Sequence, residues 1–309
     1  MYSSIIVTGS IAYDVIMDFP GRFIDYFQKE KLHQINVSFV VDKLEKQLGG
    51  TATNISYNLS LLSKNKIIIV GAVGKDGSEF VRFFKKRKIS TEGIVINKRL
   101  YTAAGQVITD IKDNQIWGFY YGASEKSGEI DINAVSENNS FLIISANHPK
   151  GFLSFQNQAI KQKIDYLYDP GMVLTWIKKD DLWEGIKHCQ YLVGNDYEIG
   201  MISNMLNKSI NQLIEFGIKV ITTLGEKGVR YESKEDSYKV KGYKVKKVID
   251  PTGAGDAWRG GFVAGICQGK NIEDSLKWGN VLASFAVENY GTVNHKPTIK
   301  EINNRIKSL

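Results

Sequence analysis

Short, unbroken apolar runs that end in small or polar residues recur along this chain, with helix-patterned segments between them. "IIVTGS" (5–10), "KIIIVGAV" (66–73), "FLIISAN" (141–147), "YLYDP" (166–170), "QYLVGN" (190–195) and "IKVITTLG" (218–225) read as strands buried on both faces. "ATNISYNLSLLS" (52–63) and the stretch from Ser78 to Lys86 carry helical apolar spacing. Strands that alternate with helices imply an α/β fold, a doubly wound and mainly parallel sheet with helices on both faces. Ligands of such sheets bind at the carboxyl ends of the strands. "GS" at 9, "DP" at 169, "GND" at 194 and "TLG" at 223 all fall at such ends.

Two regions break the alternation. Residues 11–45 and 98–122 read as strands without helices between them, and "AAGQVITDIKDNQIWGFYYG" reads as a hairpin turning at Asp113-Asn114. The expected organisation is a core of residues 1–10, 46–97 and 123–309, with a β-sheet lid built from 11–45 and 98–122.

Composition narrows the classes. With 309 residues and 43% hydrophobic content the chain can bury a large core. Its net charge of +7 comes from lysines scattered among acids, which describes a solvated surface rather than a nucleic-acid stripe. The longest apolar run is too short to span a bilayer, so no membrane partner is expected. Cys189 and Cys267 have no CxxC spacing, and the N-terminus lacks a charged, then apolar, leader pattern. A cytoplasmic location is the expectation. His33, His148, His188 and His295 have no metal-ligand spacing. The P-loop pattern, the protein-kinase elements and the G-x-G-x-x-G of a dehydrogenase are all missing.

The most informative stretch is "DPTGAGDAWRGG" (250–261). "YKVKKVID" (243–250) reads as a strand running into it, and the pattern after Gly255 is helical. The backbone N–H groups of Gly253, Ala254 and Gly255 at a helix start would hold an anion. Asp256 beside them either caps the helix or serves as a base while a transient phosphoryl charge is stabilised.

This stretch resembles the C-terminal signature of the ribokinase-like (PfkB) family of sugar and nucleoside kinases. "GGTATNISYNLSLLSKNKIIIVGAVGKDG" (49–77) resembles that family's other signature, and the two stand in the same order. The resemblance implies Asp256 as catalytic base, Gly253, Ala254 and Gly255 as anion hole, and Asp14, Gly49, Gly50 and Asn54 as holders of the sugar. The wording of "TGSIAYDVIMDFPGRF" and "LHQINVSFVVDKL" is closest to bacterial adenosine kinases, which implies a nucleoside pocket lined by Ser10, Ser38 and Phe39, with Phe39 near the base. Three positions depart from that pattern: "DPGMVL" carries Met172 and Val173 where polar residues are expected, and a glycine stands at 105 where an aromatic is expected.

For the donor, "NDYE" resembles the family's N-x-x-E element, implying that Asn195 and Glu198 order Mg2+ and phosphate through water. "TTLGEKG" implies that Thr223, Gly225 and Gly228 lie near ATP, with Asn280 near the adenine. Asp250 and Thr252 hold positions that bind a monovalent cation such as K+ in many relatives. Arg259 either faces the phosphates or has a surface or packing role. The implied activity is ATP-dependent transfer to the 5′-hydroxyl of a ribonucleoside, adenosine or a related purine nucleoside. The alternatives are a sugar kinase of the same family and, in another class, a nucleoside-binding sensor without catalysis. The small-molecule acceptor is the expected partner, and a homodimer through the lid follows from the resemblance.

Overall fold

The apolar runs become strands because both faces of each are buried. In β1 (Ser4–Thr8), Ile5 and Val7 enter one core with Ile55, Leu59, Phe262 and Val263, while Ile6 enters another with Phe152, Leu182 and Ile199. Side chains that alternate across a strand produce this division. Each fully buried aliphatic side chain contributes about 1.5–3 kcal/mol. The computed structural model describes residues 2–27, 34, 36–112 and 114–309. His33 and Asp113, the latter half of the expected hairpin turn, lie outside the described residues.

After β1 come β2 (Ala12–Asp18), β3 (Lys43–Gly49), α1 (Thr51–Leu62), β4 (Lys66–Val73), α2 (Ser78–Lys86) and β5 (Ser90–Ile96). The middle holds β6 (Ala103–Thr109), β7 (Gln115–Tyr120), β8 (Ser140–Ser145), α3 (Pro149–Gln162), β9 (Asp165–Asp169) and α4 (Lys179–His188). Then follow β10 (Tyr191–Asn195), α5 (Asp196–Leu206), α6 (Ile210–Glu215), β11 (Val220–Thr223), β12 (Val229–Glu232) and β13 (Ser237–Val240). The last elements are α7 (Ala254–Cys267), α8 (Ile272–Val287) and α9 (Ile299–Lys307).

The large sheet runs β13-β12-β11-β10-β9-β8-β1-β4-β5 and is parallel except where β12 and β13 turn back at one edge. Helices α1, α2, α7 and α8 cover one face and α3 to α6 the other. This is the doubly wound α/β arrangement that the alternation implied. β1 pairs with both β4 and β8, so the chain leaves it first to one side and then to the other. Such a reversal opens a crevice at the strand ends. Ser10 follows β1, while Asp169, Asn195 and Thr223 end or border β9, β10 and β11 on that side.

A second sheet, β3-β2-β6-β7, takes its strands from both regions that broke the alternation. Within it β2 and β6 are parallel and the outer pairs antiparallel. β3 continues to Gly49 and so delivers the double glycine directly to the start of α1.

One expected strand is absent. Residues 243–250 form no regular element. The end of the segment is tied to α8 instead, where Ile249 and Asp250 N–H both donate to the Val287 carbonyl, and just before the segment the Asn280 amide of α8 donates to the carbonyls of Val240 and Lys241. The Lys-Val alternation there lacks a partner strand, and Val248 and Ile249 are exposed.

Candidate active site

The turn before α7 is built by its own residues. Asp250 Oδ1 accepts from Thr252 N–H at 2.9 Å, and Oδ2 accepts from Gly291 N–H at 3.0 Å. Gly253 takes φ of 74°, a left-handed conformation that glycine adopts without strain, and caps the helix with no side-chain bond. Ala254 N–H donates to the Pro251 carbonyl at 3.2 Å, and Ala257 N–H to the Gly253 carbonyl at 2.9 Å. Among the described residues, the N–H groups of Gly253, Gly255 and Asp256 have no partner. The expected trio is thus changed by one member: Ala254 is spent within the turn and Asp256 N–H joins the free donors.

Asp256 does not cap the helix. Its carboxylate turns away from the backbone and accepts from Asn54 Nδ2 at 2.8 Å. Desolvation, helped by the charges of Asp14 and Glu198, raises its pKa from 3.8 to about 6, against the pull of Arg259 and Asn54. Asn54, on the first turn of α1, is 4% exposed, and its Oδ1 is buried without a hydrogen-bond partner. A buried acceptor left open costs about 1–3 kcal/mol, so it marks a place for a donor.

Asp14 lies on β2 opposite Gln47 and beside Gly105. A Cβ on Gly49 would meet its Oδ2 at 2.0 Å, and one on Gly105 would lie 3.6 Å from Oδ1. Glycine on both sides therefore leaves the carboxylate open. It has no hydrogen-bond partner among the described residues, and desolvation followed by the charge of Asp250 raises its pKa to about 6.

The register places two further residues here. Gly105 stands opposite Phe119 and Val107 opposite Trp117, so both rings share the sheet face of Asp14. Trp117 Cζ3 and Phe119 Cδ2 lie 3.3 and 3.6 Å from a Cβ on Gly105, and the side chains are 57% and 42% exposed. The sequence reading missed both, although period-two alternation from Gly105 through the hairpin would have found them.

The other expected residues make the following contacts. Phe39 packs among Phe19, Phe23, Tyr26 and Phe27, with ring centroids 4.8–6.4 Å apart. Ser38 is exposed, and no described contact joins either residue to Asp14 or Asp256. Ser10 Oγ accepts from Thr51 N–H at 3.0 Å, and the Ser10 carbonyl accepts from Ala52 N–H, which tie the end of β1 to α1. Gly50 holds that junction with φ of 87°, because a Cβ there would meet the Ser10 carbonyl oxygen at 2.4 Å. Met172 is exposed and Val173 fully buried.

On the other side of the crevice, Asn195 and Glu198 form a reciprocal capping box at the start of α5, with both bonds 2.8 Å. Glu198 still reaches the cluster, since a Cβ on Gly171 would lie 3.9 Å from its Oε1 and 3.8 Å from Asp169 Oδ1. Thr223 Oγ1 makes a long 3.5 Å contact to the Gly194 carbonyl. Gly225 and Gly228 take φ of 58° and 95° and shape the loop after β11. Asn280 is 5% exposed; its Oδ1 accepts from Trp258 Nε1 and its amide holds the 240–241 carbonyls. Its polar groups therefore serve the path into the turn.

A crevice at a topological switch point, free N–H groups at a helix start and a carboxylate of raised pKa beside them fit a phosphotransferase of the doubly wound class. The sequence profile of the pfkB family carbohydrate kinases matches residues 4–299, and the chain belongs to that family. It is 30% identical over 287 residues to a nucleoside kinase of Methanocaldococcus jannaschii, covering 92% of this chain and 94% of that protein. A ribokinase of Lactococcus lactis is 27% identical over 268 residues, covering 84% and 86%. The structure of Burkholderia thailandensis nucleoside kinase in complex with inosine superposes with a TM-score of 0.88 at 26% identity, covering 98% of this chain and 96% of that one. The protein is an ATP-dependent kinase that phosphorylates a hydroxyl group. No helix among the described residues is long and apolar enough to cross a membrane.

Proposed function

We propose that this kinase transfers the γ-phosphoryl group of ATP to the 5′-hydroxyl of a purine ribonucleoside, adenosine or inosine being representative. The observation that carries this reading is the open Asp14 carboxylate on the same sheet face as Trp117 and Phe119. A carboxylate accepts from two neighbouring hydroxyls, as in a ribose diol, and exposed rings offer an apolar face to a base. The nucleoside kinases similar over nearly the whole chain support it.

In this reading Asp256 takes the proton of the 5′-hydroxyl. The freed oxygen attacks the γ-phosphorus, the bond to the bridging oxygen breaks, and ADP leaves. Asn54 fixes Asp256 through Oδ2 and leaves Oδ1 to meet the proton. The N–H groups of Gly253, Gly255 and Asp256 stabilise the charge on the transferring group. Glu198 gives one carboxylate oxygen to the Asn195 N–H and keeps the other, so with Asn195 it fits a water-mediated contact to a phosphate-bound magnesium ion, which would neutralise phosphate charge. Asp250 keeps a lone pair on each oxygen beyond its two N–H bonds, and with Thr252 it fits a monovalent cation such as K+ beside the turn. Thr223, Gly225 and Gly228 line the loop assigned to the nucleotide.

A panel of adenosine, inosine, guanosine, ribose and fructose, read by ADP release, tests the assignment. The purine nucleosides are expected to give the highest kcat/KM. A higher value for a free sugar would instead favour the sugar-kinase reading, for which the ribokinase relative speaks.

A further inference from the structure

Arg259 lies one turn after Asp256 on α7 and is 7% exposed. Its Nη2 donates to Asp169 Oδ1 at 2.6 Å, and its Nε stands 2.5 Å from Oδ2. Asp169, 3% exposed, is the last residue of β9. The pair therefore bolts the start of α7 to the end of a core strand.

The ion pair does not account for the whole guanidinium. Nη1 has no hydrogen-bond partner among the described residues, and a Cβ on Gly255 would lie 2.7 Å from it. Nε, though near Oδ2, lacks hydrogen-bond alignment and has no other partner. A buried cation with an uncommitted donor thus sits directly beneath the turn whose N–H groups are free. Glycine at 255 is what lets it come so close.

The local charges make such a cation necessary. Asp169, Glu198 and Asp256 all act on Arg259 at the turn where a triphosphate would add further negative charge. A planar fork held along one edge keeps its remaining donors in a fixed direction, which a lysine ammonium does not.

We infer that Arg259 is a catalytic residue: its guanidinium, clamped by Asp169, donates through Nη1 to the phosphoryl group in transfer at the Gly253–Asp256 turn. Asp169 is its positioning residue. The inference rests on reading this turn as the phosphoryl site, as proposed above, but not on the identity of the acceptor.

The test compares the wild-type kinase with Arg259→Lys and with the double variant Arg259→Gln/Asp169→Asn. The double variant avoids a buried unpaired charge. Arg259→Lys keeps the charge but loses Nη1, and it stands in if the double variant does not fold. Folding is checked by thermal melting. The readouts are kcat, acceptor KM, ADP affinity, and ADP affinity with aluminium fluoride, which mimics the phosphoryl group in flight. Loss of one fixed donor to this charge is expected to lower kcat by about 10²–10³, the scale found for a single oxyanion-hole donor. ADP affinity and acceptor KM are expected to stay within about threefold, and the tightening by aluminium fluoride to be lost. A folded variant with kcat within about threefold of wild type, or with the tightening intact, overturns the inference. The comparison uses whichever acceptor turns over. A wild-type enzyme that prefers a free sugar therefore overturns the nucleoside reading alone.

Discussion

Asn54 Nδ2 donates to Asp256 Oδ2 at 2.8 Å across 202 residues of sequence, joining the first turns of α1 and α7. The bond favours the ionised carboxylate, against the desolvation that raises Asp256 to about pKa 6. Asp256 must be deprotonated to act as a base, so kcat/KM is expected to fall as pH drops through about 6 and to level off above it. Asn54→Ala removes the opposing hydrogen bond, so the acid limb should move to higher pH. A pH–rate profile of both proteins checks this; an unmoved limb separates Asn54 from the ionisation of the base.

Asp256→Asn removes the proton acceptor and retains an oxygen for the Asn54 amide. Turnover is expected to fall by about 10²–10⁴, the scale of general-base catalysis. Stability should move the other way. An acid whose pKa is raised on folding keeps its proton in the folded state between 3.8 and about 6, after the unfolded chain has lost it. Its contribution is fullest below pH 3.8 and is lost as pH rises through about 6. The neutral amide escapes this loss. The variant should therefore melt about 2–4 °C above wild type at neutral pH, the shift that roughly 1 kcal/mol produces in a large domain. The gap should close near pH 4, a comparison made by calorimetry at the two pH values.

Asp14→Ala is expected to raise the acceptor KM by about 10–100-fold, as loss of a charged hydrogen-bonding partner costs about 1.5–3 kcal/mol. ATP affinity should hold, because Asp14 stands on the second sheet, away from the loop after β11. Equal weakening of both ligands, measured by titration, would move Asp14 out of the acceptor site.

Trp117→Ala tests the aromatic face. Loss of the ring should raise the nucleoside KM by about tenfold, from its buried area and ring contact together. Any turnover of free ribose should be unaffected. A variant with an unchanged nucleoside KM would direct the search for the base toward the Phe39 cluster.

Much of the fold was legible because apolar runs buried on both faces leave little ambiguity, as β1, β4 and β8 illustrate. Residues 243–250 were misread because Lys-Val alternation describes an edge strand and equally a segment whose backbone is claimed by a helix end. The "GAGD" turn was legible as a glycine-capped helix start, but the donor set was not, since a single bond to Pro251 decides whether Ala254 N–H is free. Asn280 and Ser10 were recognisable as polar residues near the site; their commitment to Trp258 and Thr51 depends on contacts far apart in sequence. Arg259 stayed ambiguous for the same reason, as its partner Asp169 lies 90 residues away.

Gly49 carries a consequence of another kind. The three heavy atoms nearest to a Cβ built there all belong to the Asp14 carboxyl group. A single added carbon would thus press first on the Asp14 carboxyl group, with no core side chain or backbone atom among those nearest neighbours. On the proposed reading of Asp14, a lineage could retune or silence acceptor binding by one substitution at position 49 while keeping its scaffold unaltered.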